Sequence, residues 1–539
     1  MDTTLLDLYD IQGNIMKNYA EFGFIKARYL FFKVNNGEQG RTFLKGVRGY
    51  ITSAAPWTAG AGNVNGVPWP ECTTNISFTY NGLKTLGVSV QTLQSFPDEF
   101  IVGMRGRRSI LGDNGPSDPD KWDPVFHEEI HIFMSIEGQT EKAIEDRYNE
   151  ILNILTLQNL NGVMLLDGHR AEKGEAHKPY QDASVLYENG LPTAKEHFGY
   201  TDGISNPFFK GMTAEMGELA GGGKKNDKGK LGYGDPELDS TWLPLETGEF
   251  ILGHKDEAQE YPVAPMPPLM AKNGSFLVYR KLHENVGKFN AYLDKAAENF
   301  PGGKELLAAK FVGRWRNGVP VTTLPNESDA NALSEKRHAA IAAITTAATP
   351  EEKIKAQEAY RVINKKFQAF DYNNDISGGR CPVGAHTRRA NPRGALEFGH
   401  EKAFDTPGAV DNRRRIIRRG LPYGSSAGDP TSNDGNHGTI IMTIHANIKR
   451  QFEFVLQQWI NYGNDFKLAN DKDPLCGNHD EREGIGDGRM IIQATNATDA
   501  PPYFLSELPR FVETRGGEYF FIPSITALRM IAEAIVDPT

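Results

Sequence analysis

The stretch KARYLFFKVNNGEQGRTFLKGVRGY (residues 26–50) predicts a β-strand followed by an α-helix. Residues 26–34 are rich in the aromatic and β-branched side chains that favour strands. Residues 40–50 space their apolar side chains as one face of a helix does. A strand that leads into a helix is the first half of an α+β unit.

The same order returns along the chain. In the first half, residues 75–83, 131–138 and 163–171 read as strands, and residues 140–155 as the clearest helix. In the second half, strands are predicted at 274–282 and 438–448, and helices at 284–300 and 449–462. The sequence therefore predicts an α+β fold, in which helices pack on one face of each sheet and the two halves suggest a structural duplication.

Two segments interrupt this pattern. Residues 210–245 are polar and Gly-rich, as linkers are, and predict a boundary between domains 1–225 and 226–539. Residues 326–370 are rich in Ala, Lys and Glu and predict a pair of helices. We expect this pair to be an insertion in the second domain that covers part of it.

The overall composition excludes several classes of protein. A chain of 539 residues favours two domains, and a net charge of −10 argues against non-specific nucleic-acid binding. The three cysteines (Cys72, Cys381, Cys476) are far apart and predict neither a disulfide framework nor a zinc site. No apolar stretch reaches membrane-spanning length, and the first residues do not resemble a secretory signal. We therefore expect a cytoplasmic location.

A basic stretch runs from Arg380 to Gly424 and comprises RCPVGAHTRRANPR (380–393), a turn-rich spacer and RRRIIRRGLPYG (413–424). Arginine grips carboxylates and phosphates with two parallel hydrogen bonds. His386 lies among these arginines, and a neutral imidazole there could bind a metal whose cofactor carries carboxylates, as haem does. The alternatives are a solvated face, a phosphate site and a structural histidine.

A second distinctive stretch is HFGYTDGISNPFF (197–209), in which Asp202 lies between Thr201 and Gly203. An aspartate beside a glycine often caps its own turn, so this stretch alone does not establish a catalytic residue.

Together the two stretches resemble the dye-decolourising peroxidases. GYTDG (199–203) matches the family's GxxDG motif, CPVGAH with RRANPR (381–393) resembles its proximal-histidine segment, and IIRRGLPYG (416–424) its distal-arginine segment. DIQGN (10–14), RQFEF (450–454) and RGGEYFF (515–521) are also similar to family sequences. The resemblance covers nearly the whole chain in the expected order, and the insertion at 326–370 suggests one of the longer branches.

The resemblance implies two ferredoxin-like α+β domains, with haem b (iron protoporphyrin IX) bound in the C-terminal domain and a peroxide pocket roofed by the GxxDG loop. It implies that His386 is the proximal iron ligand and Asp202 the distal acid–base residue. Arg418 would be the distal arginine because it stands two places before Gly420, with Arg419 as its close alternative.

Further roles follow from the same resemblance. Asp473 is the candidate carboxylate for the second ring nitrogen of His386, with Asp465 as the alternative. Arg388 and Arg393 are the candidate partners of the haem propionates. A distal aspartate that serves as general base must be ionised, and we expect the highest activity in mildly acidic solution.

One departure concerns the distal pocket. Thr439 and Ile441 occupy the positions at which many relatives place apolar residues, often Leu and Phe. We expect a smaller, partly polar lining that admits more water or widens the peroxide entry.

The expected activity is reduction of hydrogen peroxide and one-electron oxidation of dyes, phenolics or similar aromatic substrates. Candidate stations for electron transfer are Trp315, Trp459, Tyr462 and Tyr519, and a candidate Mn(II) site is the acidic group Asp471, Asp473, Asp480, Glu481 and Glu483. The alternatives are a haem-binding or iron-handling protein on this fold, and an α+β protein whose arginines bind a phosphorylated ligand. The sequence leaves the oligomeric state open.

Overall fold

The computed structural model describes residues 6–58, 67–168, 178–204, 206–212, 224–225, 242–368, 370, 372–393, 395–396, 409–424, 436–482, 484–493 and 501–535. Most of the Gly-rich segment 210–245 lies outside these ranges, including residue 226, where the second domain was predicted to begin. The division at 225/226 therefore stays a prediction.

Ten strands form one sheet in which every pair is antiparallel. They are β1 (Lys26–Val34), β2 (Cys72–Phe78), β3 (Ile132–Gly138), β4 (Val163–Leu165), β5 (Gln181–Ser184), β6 (Ser275–Glu284), β7 (Ile417–Arg419), β8 (Pro422–Tyr423), β9 (Gly438–His445) and β10 (Val512–Ile522). Short two-stranded pairs join Trp57–Thr58 to Val67–Pro68, Tyr187–Glu188 to Leu191–Pro192, Lys224–Lys225 to Trp242–Leu243, Glu481–Arg482 to Ile485–Gly486, and Gly488–Ile492 to Tyr503–Leu508.

The principal helices are α1 (Gly37–Val47), α2 (Asp98–Gly106), α3 (Glu141–Leu157), α4 (Val286–Ala297), α5 (Gly303–Val312), α6 (Glu327–Thr346), α7 (Pro350–Gln368), α8 (His386–Ala390) and α9 (Ile525–Glu533). Single-turn helices cover Gly13–Met16, Tyr80–Thr85, Val90–Gln94, Arg108–Leu111, Pro268–Ala271 and Ala409–Asn412. The predicted helix at 449–462 forms as two π-helical segments, Lys449–Glu453 and Val455–Ile460. In the described part of the chain, no helix has both the length and the hydropathy to cross a bilayer.

The sheet consists of two halves with the same strand order. Along the sheet the order is β7–β9–β6–β10–β2–β3–β1–β4, with β8 beside β9 and β5 beside β1. The first half consists of β1 to β4, and the second half of β6, β7, β9 and β10. If the four strands of each half are numbered along the chain, both halves have the spatial order 4-1-3-2, which is the ferredoxin-like arrangement. The halves join where Phe521 of β10 pairs with Phe78 of β2. The predicted α+β fold of two similar halves is confirmed.

An aromatic core lies where the two halves face each other. The ring of Tyr279 on β6 has its centroid 5.9 Å from that of Tyr29 and 5.4 Å from that of Phe31, both on β1. On the other side of β1, Phe32 packs against Phe43 of α1 at 5.2 Å. Because β1 is buried on both faces, its sequence is nearly continuously apolar rather than alternating.

A buried ion pair ties β6 to the segment after α2. The two Nη atoms of Arg280 lie 2.7 Å from the two carboxylate oxygens of Asp113, and Nη2 also donates to Thr514. Only 6% of the Arg280 side chain and 3% of the Asp113 side chain are exposed. Each charge is therefore stabilised chiefly by the other.

Replacing Arg280 by Ala is expected to lower the free energy of unfolding by about 3–5 kcal/mol, because it leaves the carboxylate of Asp113 buried without its counter-ion. Urea denaturation measures this loss. The double variant Arg280→Met with Asp113→Leu removes both charges and is expected to lose less than the single variant. A single variant as stable as the parent protein would show that the pair does not hold this contact.

Candidate active site

The loop that carries Asp202 is held by main-chain hydrogen bonds and by one carboxylate. The amide of Asp202 donates to Ala194 O at 2.7 Å, and that of Thr201 to Arg316 O at 3.0 Å. The side chain of Glu196 accepts the amides of Phe198 and Tyr200, each at 2.7 Å. The glycine at 203 has φ of +75°, which side-chain-bearing residues rarely adopt. The loop thus fixes the direction of the Asp202 side chain.

Arg418 reaches this loop from β7. Its Nη1 donates to Asp202 Oδ1 at 2.9 Å and its Nη2 to Ile204 O at 2.8 Å. The neighbouring Arg419 instead donates to Asn14 O and other main-chain carbonyls. The structure therefore brings Arg418, and not Arg419, to Asp202.

A glycine turn after Arg419 makes this arrangement possible. Gly420 has φ of +121°, and a Cβ there would lie 1.9 Å from Ile440 O. Only glycine lets the chain leave β7 so close to β9.

Asp202 keeps its charge in this setting. Its side chain is 48% exposed because it faces a cavity. The protein around that cavity still removes much of the bulk water from the carboxylate. Burial raises the pKa of Asp202, but the charge of Arg418 and the amide of Gly203 outweigh it, so the pKa lies below its ordinary value. The charge of His386 acts in the same direction.

The cavity beside this pair has a volume of about 620 Å³, within the range of small-molecule and cofactor sites. Asp202, Arg418 and Thr439 line one part of it, and Arg337 of α6 and Tyr360 of α7 another. The helical pair predicted at 326–370 therefore covers this cavity. His386 is not among the described residues that line it.

His386 is fixed by a buried carboxylate. It is the first residue of α8, and its Nδ1 lies 3.0 Å from Oδ2 of Asp473, whose side chain is fully buried. Burial lowers the pKa of His386, but the charge of Asp473 outweighs it and raises the pKa well above its ordinary value. Asp465 instead accepts a hydrogen bond from the indole of Trp459 at 3.0 Å. The structure thus pairs His386 with Asp473 rather than with Asp465.

Cys476 adjoins the same imidazole, which the sequence analysis did not anticipate. The ligand atoms of His386, Asp473 and Cys476 lie within 4.8 Å of one another. Oδ1 of Asp473, however, accepts the amides of Leu475 and Cys476 at 2.9 and 2.8 Å. Since both carboxylate oxygens are already hydrogen-bonded, the carboxylate orients the imidazole rather than forming a three-ligand metal centre.

Arg388 and Arg393 donate to main-chain carbonyls, and their role as partners of haem propionates stays a prediction. Arg388 is buried and donates to the main-chain carbonyls of Asp375, Cys381 and Ile376. Arg393 is also buried and donates to the carbonyls of Gln368 and Phe370. Both guanidinium groups hold the backbone around the His386 loop.

The predicted electron-transfer residues differ in their exposure. Trp315, Trp459 and Tyr519 are buried, whereas Tyr462 is 42% exposed. Only Tyr462 of these four could therefore meet a bulky substrate directly.

The acidic residues predicted to bind Mn(II) are directed to separate partners. Asp471 lies 3.3 Å from Arg489, and Glu481 lies 2.9 Å from Lys288. Asp473 faces His386, and Glu483 lies outside the described residues. Among the described residues, the group His386, Asp473 and Cys476 is the one whose ligand atoms converge.

Comparisons with known proteins find similarity to dye-decolorizing peroxidases. Residues 10–170 match the family described as "DyP dimeric alpha+beta barrel domain". The chain is 28% identical to dye-decolorizing peroxidase msp1 of Mycetinis scorodonius over 98% of this chain and 88% of that protein. It is 25% identical to the multifunctional dye peroxidase DyP2 of an Amycolatopsis species, over 98% and 96% of the two chains.

Solved structures show the same similarity. An ancestral D-type dye-decolorizing peroxidase superposes with a TM-score of 0.69 at 26% identity, over 98% of this chain and 99% of that one. A DyP-type peroxidase from Anabaena superposes with a TM-score of 0.67 at 23% identity, over 97% and 94%, a likeness of fold.

Proposed function

We infer that the chain belongs to the dye-decolourising peroxidase family, and we derive its chemistry from that premise. It is a haem-dependent peroxidase that reduces hydrogen peroxide and oxidises dyes or similar aromatic compounds. Which residues of this chain perform the reaction, and which haem it holds, are our proposals.

We propose that His386 binds the haem iron through Nε2. The donor set fits this role, because the hydrogen bond from Nδ1 to Asp473 fixes the tautomer and orientation of the ring. His386 would hold the haem, and Asp202 and Arg418 would act on peroxide from the cavity that they line. When bound, the haem supplies a redox-active iron at which the O–O bond of peroxide is cleaved.

We propose haem b as the bound form. The sequence contains no C-x-x-C-H motif of the kind that attaches haem covalently. Acidified butanone is therefore expected to extract the haem, and the pyridine complex to have the spectrum of protoporphyrin IX. A haem that stays with the polypeptide would contradict this assignment.

The ionised carboxylate of Asp202 would accept a proton from one oxygen of hydrogen peroxide and return it to the other oxygen, which leaves as water. Arg418, 2.9 Å from Asp202, would stabilise the negative charge that develops on the leaving oxygen. Asp202 precedes the predicted boundary, whereas Arg418 and His386 follow it. The proposed site therefore draws on both predicted domains, 1–225 and 226–539.

The observation that carries this proposal is the contact between Asp202 and Arg418 on a cavity, together with the carboxylate of Asp473 on His386. Absorption spectra of the purified protein before and after one equivalent of peroxide test it. We expect a Soret band that changes on addition of peroxide and returns when an anthraquinone dye is oxidised. A Soret band without dye oxidation would favour the haem-binding alternative.

Replacing Asp473 by Asn is expected to weaken haem binding or activity by about 10- to 100-fold, because an amide no longer fixes the His386 tautomer through a charged acceptor. Haem titration of the haem-free protein and steady-state dye oxidation measure the two effects. Asp465→Asn is the matched control, since Asp465 bonds Trp459 and not His386. An equal loss in both variants would contradict the assigned role of Asp473.

The pH profile follows from the lowered pKa of Asp202. Asp202 is ionised, and can act as a base, above its pKa. Because that pKa lies below the ordinary pKa of an aspartate, activity should be lost only when the pH falls through this lowered pKa. Arg418→Leu removes the largest lowering cause and leaves burial, so the acid limb of kcat/KM for peroxide should move up by about one to three pH units. In Arg419→Leu the limb should stay in place, because Arg419 binds main-chain carbonyls. An unmoved limb in Arg418→Leu would contradict this pairing.

A further inference from the structure

Two carboxyl groups, one buried and one partly exposed, lie beside the cavity and have no part in the mechanism above. Glu196 precedes the Asp202 loop, and Glu284 is the last residue of β6. The amides of the adjacent residues His197 and Phe198 donate to Glu284 and Glu196 respectively, which places the two carboxyl groups side by side. Glu284 is 4% exposed, whereas Glu196 lines the cavity.

The pair is surrounded by neutral donors. Glu196 accepts the amides of Phe198 and Tyr200, and Glu284 accepts that of His197 at 3.1 Å. In the ranges that the structure describes, no Lys or Arg forms an ion pair with either carboxyl. Adjacent carboxylates without a cation cannot both ionise. Burial raises the pKa of Glu284 to about 7, and burial with the charge of Glu284 raises that of Glu196 well above its ordinary value.

The cations on the neighbouring elements are paired with other carboxylates. Arg316, whose Nη1 donates to Phe198 O, lies 2.9 Å from Glu305, and Arg418 lies 2.9 Å from Asp202. Asp202 raises the pKa of Glu284, and Tyr423 and the thiol of Cys476 also lie within reach of its charge. Tyr200 faces Glu196. Burial lowers the pKa of His197 to about 4, so its ring is neutral at physiological pH. The pair therefore holds a proton at neutral pH.

Thr439 connects this proton to the cavity. Its Oγ1 lies 2.5 Å from Oε1 of Glu284, close enough for a proton to pass between the two oxygens, and the residue lines the cavity together with Asp202 and Arg418. It stands at a position where many relatives place an apolar residue, as the sequence analysis noted. This departure gives the pair a polar route to the cavity.

We propose that Glu196 and Glu284 form a proton store for the cavity, with the hydroxyl of Thr439 as its outlet. The proposal rests on the peroxidase function proposed above. Peroxide reduction consumes two electrons and two protons for each peroxide and yields two waters, so a donor of electrons alone leaves both protons to come from protein or solvent. The O–H bond of the Glu284 carboxyl breaks as one forms at Thr439 Oγ1, whose own proton passes to water in the cavity. Solvent then reprotonates the pair through Glu196.

Two electron donors distinguish this role from a structural one. Ferrocyanide supplies electrons only, whereas hydroquinone supplies a proton with each electron. Thr439→Val is expected to slow peroxide-dependent ferrocyanide oxidation by about 10- to 100-fold, because a positioned acid–base group contributes at least about tenfold to a rate. Hydroquinone brings its own protons, so its oxidation should slow by less than about twofold. Thr443→Val on the same strand is the matched control and should change neither rate, because its hydroxyl contacts His445.

Infrared spectroscopy supplies a readout independent of turnover. Burial also raises the pKa of Glu137 and of Glu249 to about 7, so the band of the pair is identified by subtracting the spectrum of Glu284→Gln. The parent protein with and without haem should show this deuterium-sensitive carbonyl band of a protonated carboxyl. The band should shift in Thr439→Val and disappear in Glu284→Gln. Equal rates of Thr439→Val and the parent protein with both donors, or no such band in the parent protein, would overturn the proton store. A parent protein that shows the band but oxidises neither donor would instead overturn the peroxidase function on which the store depends.

Discussion

Replacing Asp202 by Asn is expected to lower kcat/KM for hydrogen peroxide by about 10²- to 10⁴-fold, the contribution of a positioned general acid–base group. An amide keeps the shape of the side chain and its contact with Arg418, but it cannot accept the peroxide proton. Because the loop is held by main-chain bonds and by Glu196, the substitution should leave the fold intact. Stopped-flow measurement of the Soret change against peroxide concentration gives the rate.

The matched control for Asp202 is Asp182, which also pairs with an arginine. Its Oδ1 lies 2.9 Å from Nε of Arg28, on the N-terminal half of the sheet. Asp182→Asn should react with peroxide at the rate of the parent protein. If Asp202→Asn retains its haem and reacts within about twofold of the parent protein, another group removes the proton and our assignment is wrong.

Replacing His386 by Ala is expected to have a comparable effect on the proximal side. Loss of a carboxylate that supports a metal ligand, as in Asp473→Asn, weakens binding or activity by up to roughly 100-fold. Loss of the ligand itself should weaken haem binding or activity by more than that. The absorption spectrum should change as well, since the axial ligand sets the electronic state of the iron. Haem titration followed by dye oxidation measures both.

Added imidazole separates a ligand role from a structural one. In His386→Ala it can enter the vacated space and restore part of the activity and of the parent spectrum. His338→Ala is the matched control, because His338 is exposed on α6. If His386→Ala keeps the parent spectrum, a different side chain binds the iron.

Much of the fold could be predicted because local pattern and burial agree. Strand β1 was predicted at 26–34 and forms there, since its aromatic and β-branched side chains fill the core on both faces. The strand predicted at 163–171 is shorter, at Val163–Leu165, and residues 169–177 lie outside the described ranges. The predicted helix at 449–462 is wound as π-helix, which periodicity alone does not reveal.

The site could be predicted where a motif carries it and not where tertiary contacts do. Asp202, Arg418 and His386 stand in recognisable segments, and the structure brings Asp202 and Arg418 into contact. An arginine near a histidine can face a ligand or the backbone with equal ease, and Arg388 faces the backbone. The pairing of Glu196 with Glu284 leaves no local pattern, because their positions are far apart in the chain.

The structure of the haem-loaded protein with cyanide bound is the most direct test of the central claim that His386 and Asp202 serve opposite faces of one haem. We expect Nε2 of His386 on the iron, Asp473 on its Nδ1, and the cyanide hydrogen-bonded to Arg418 beside Asp202. An iron bound by another side chain, or a cyanide that points away from Asp202 and Arg418, would contradict the account.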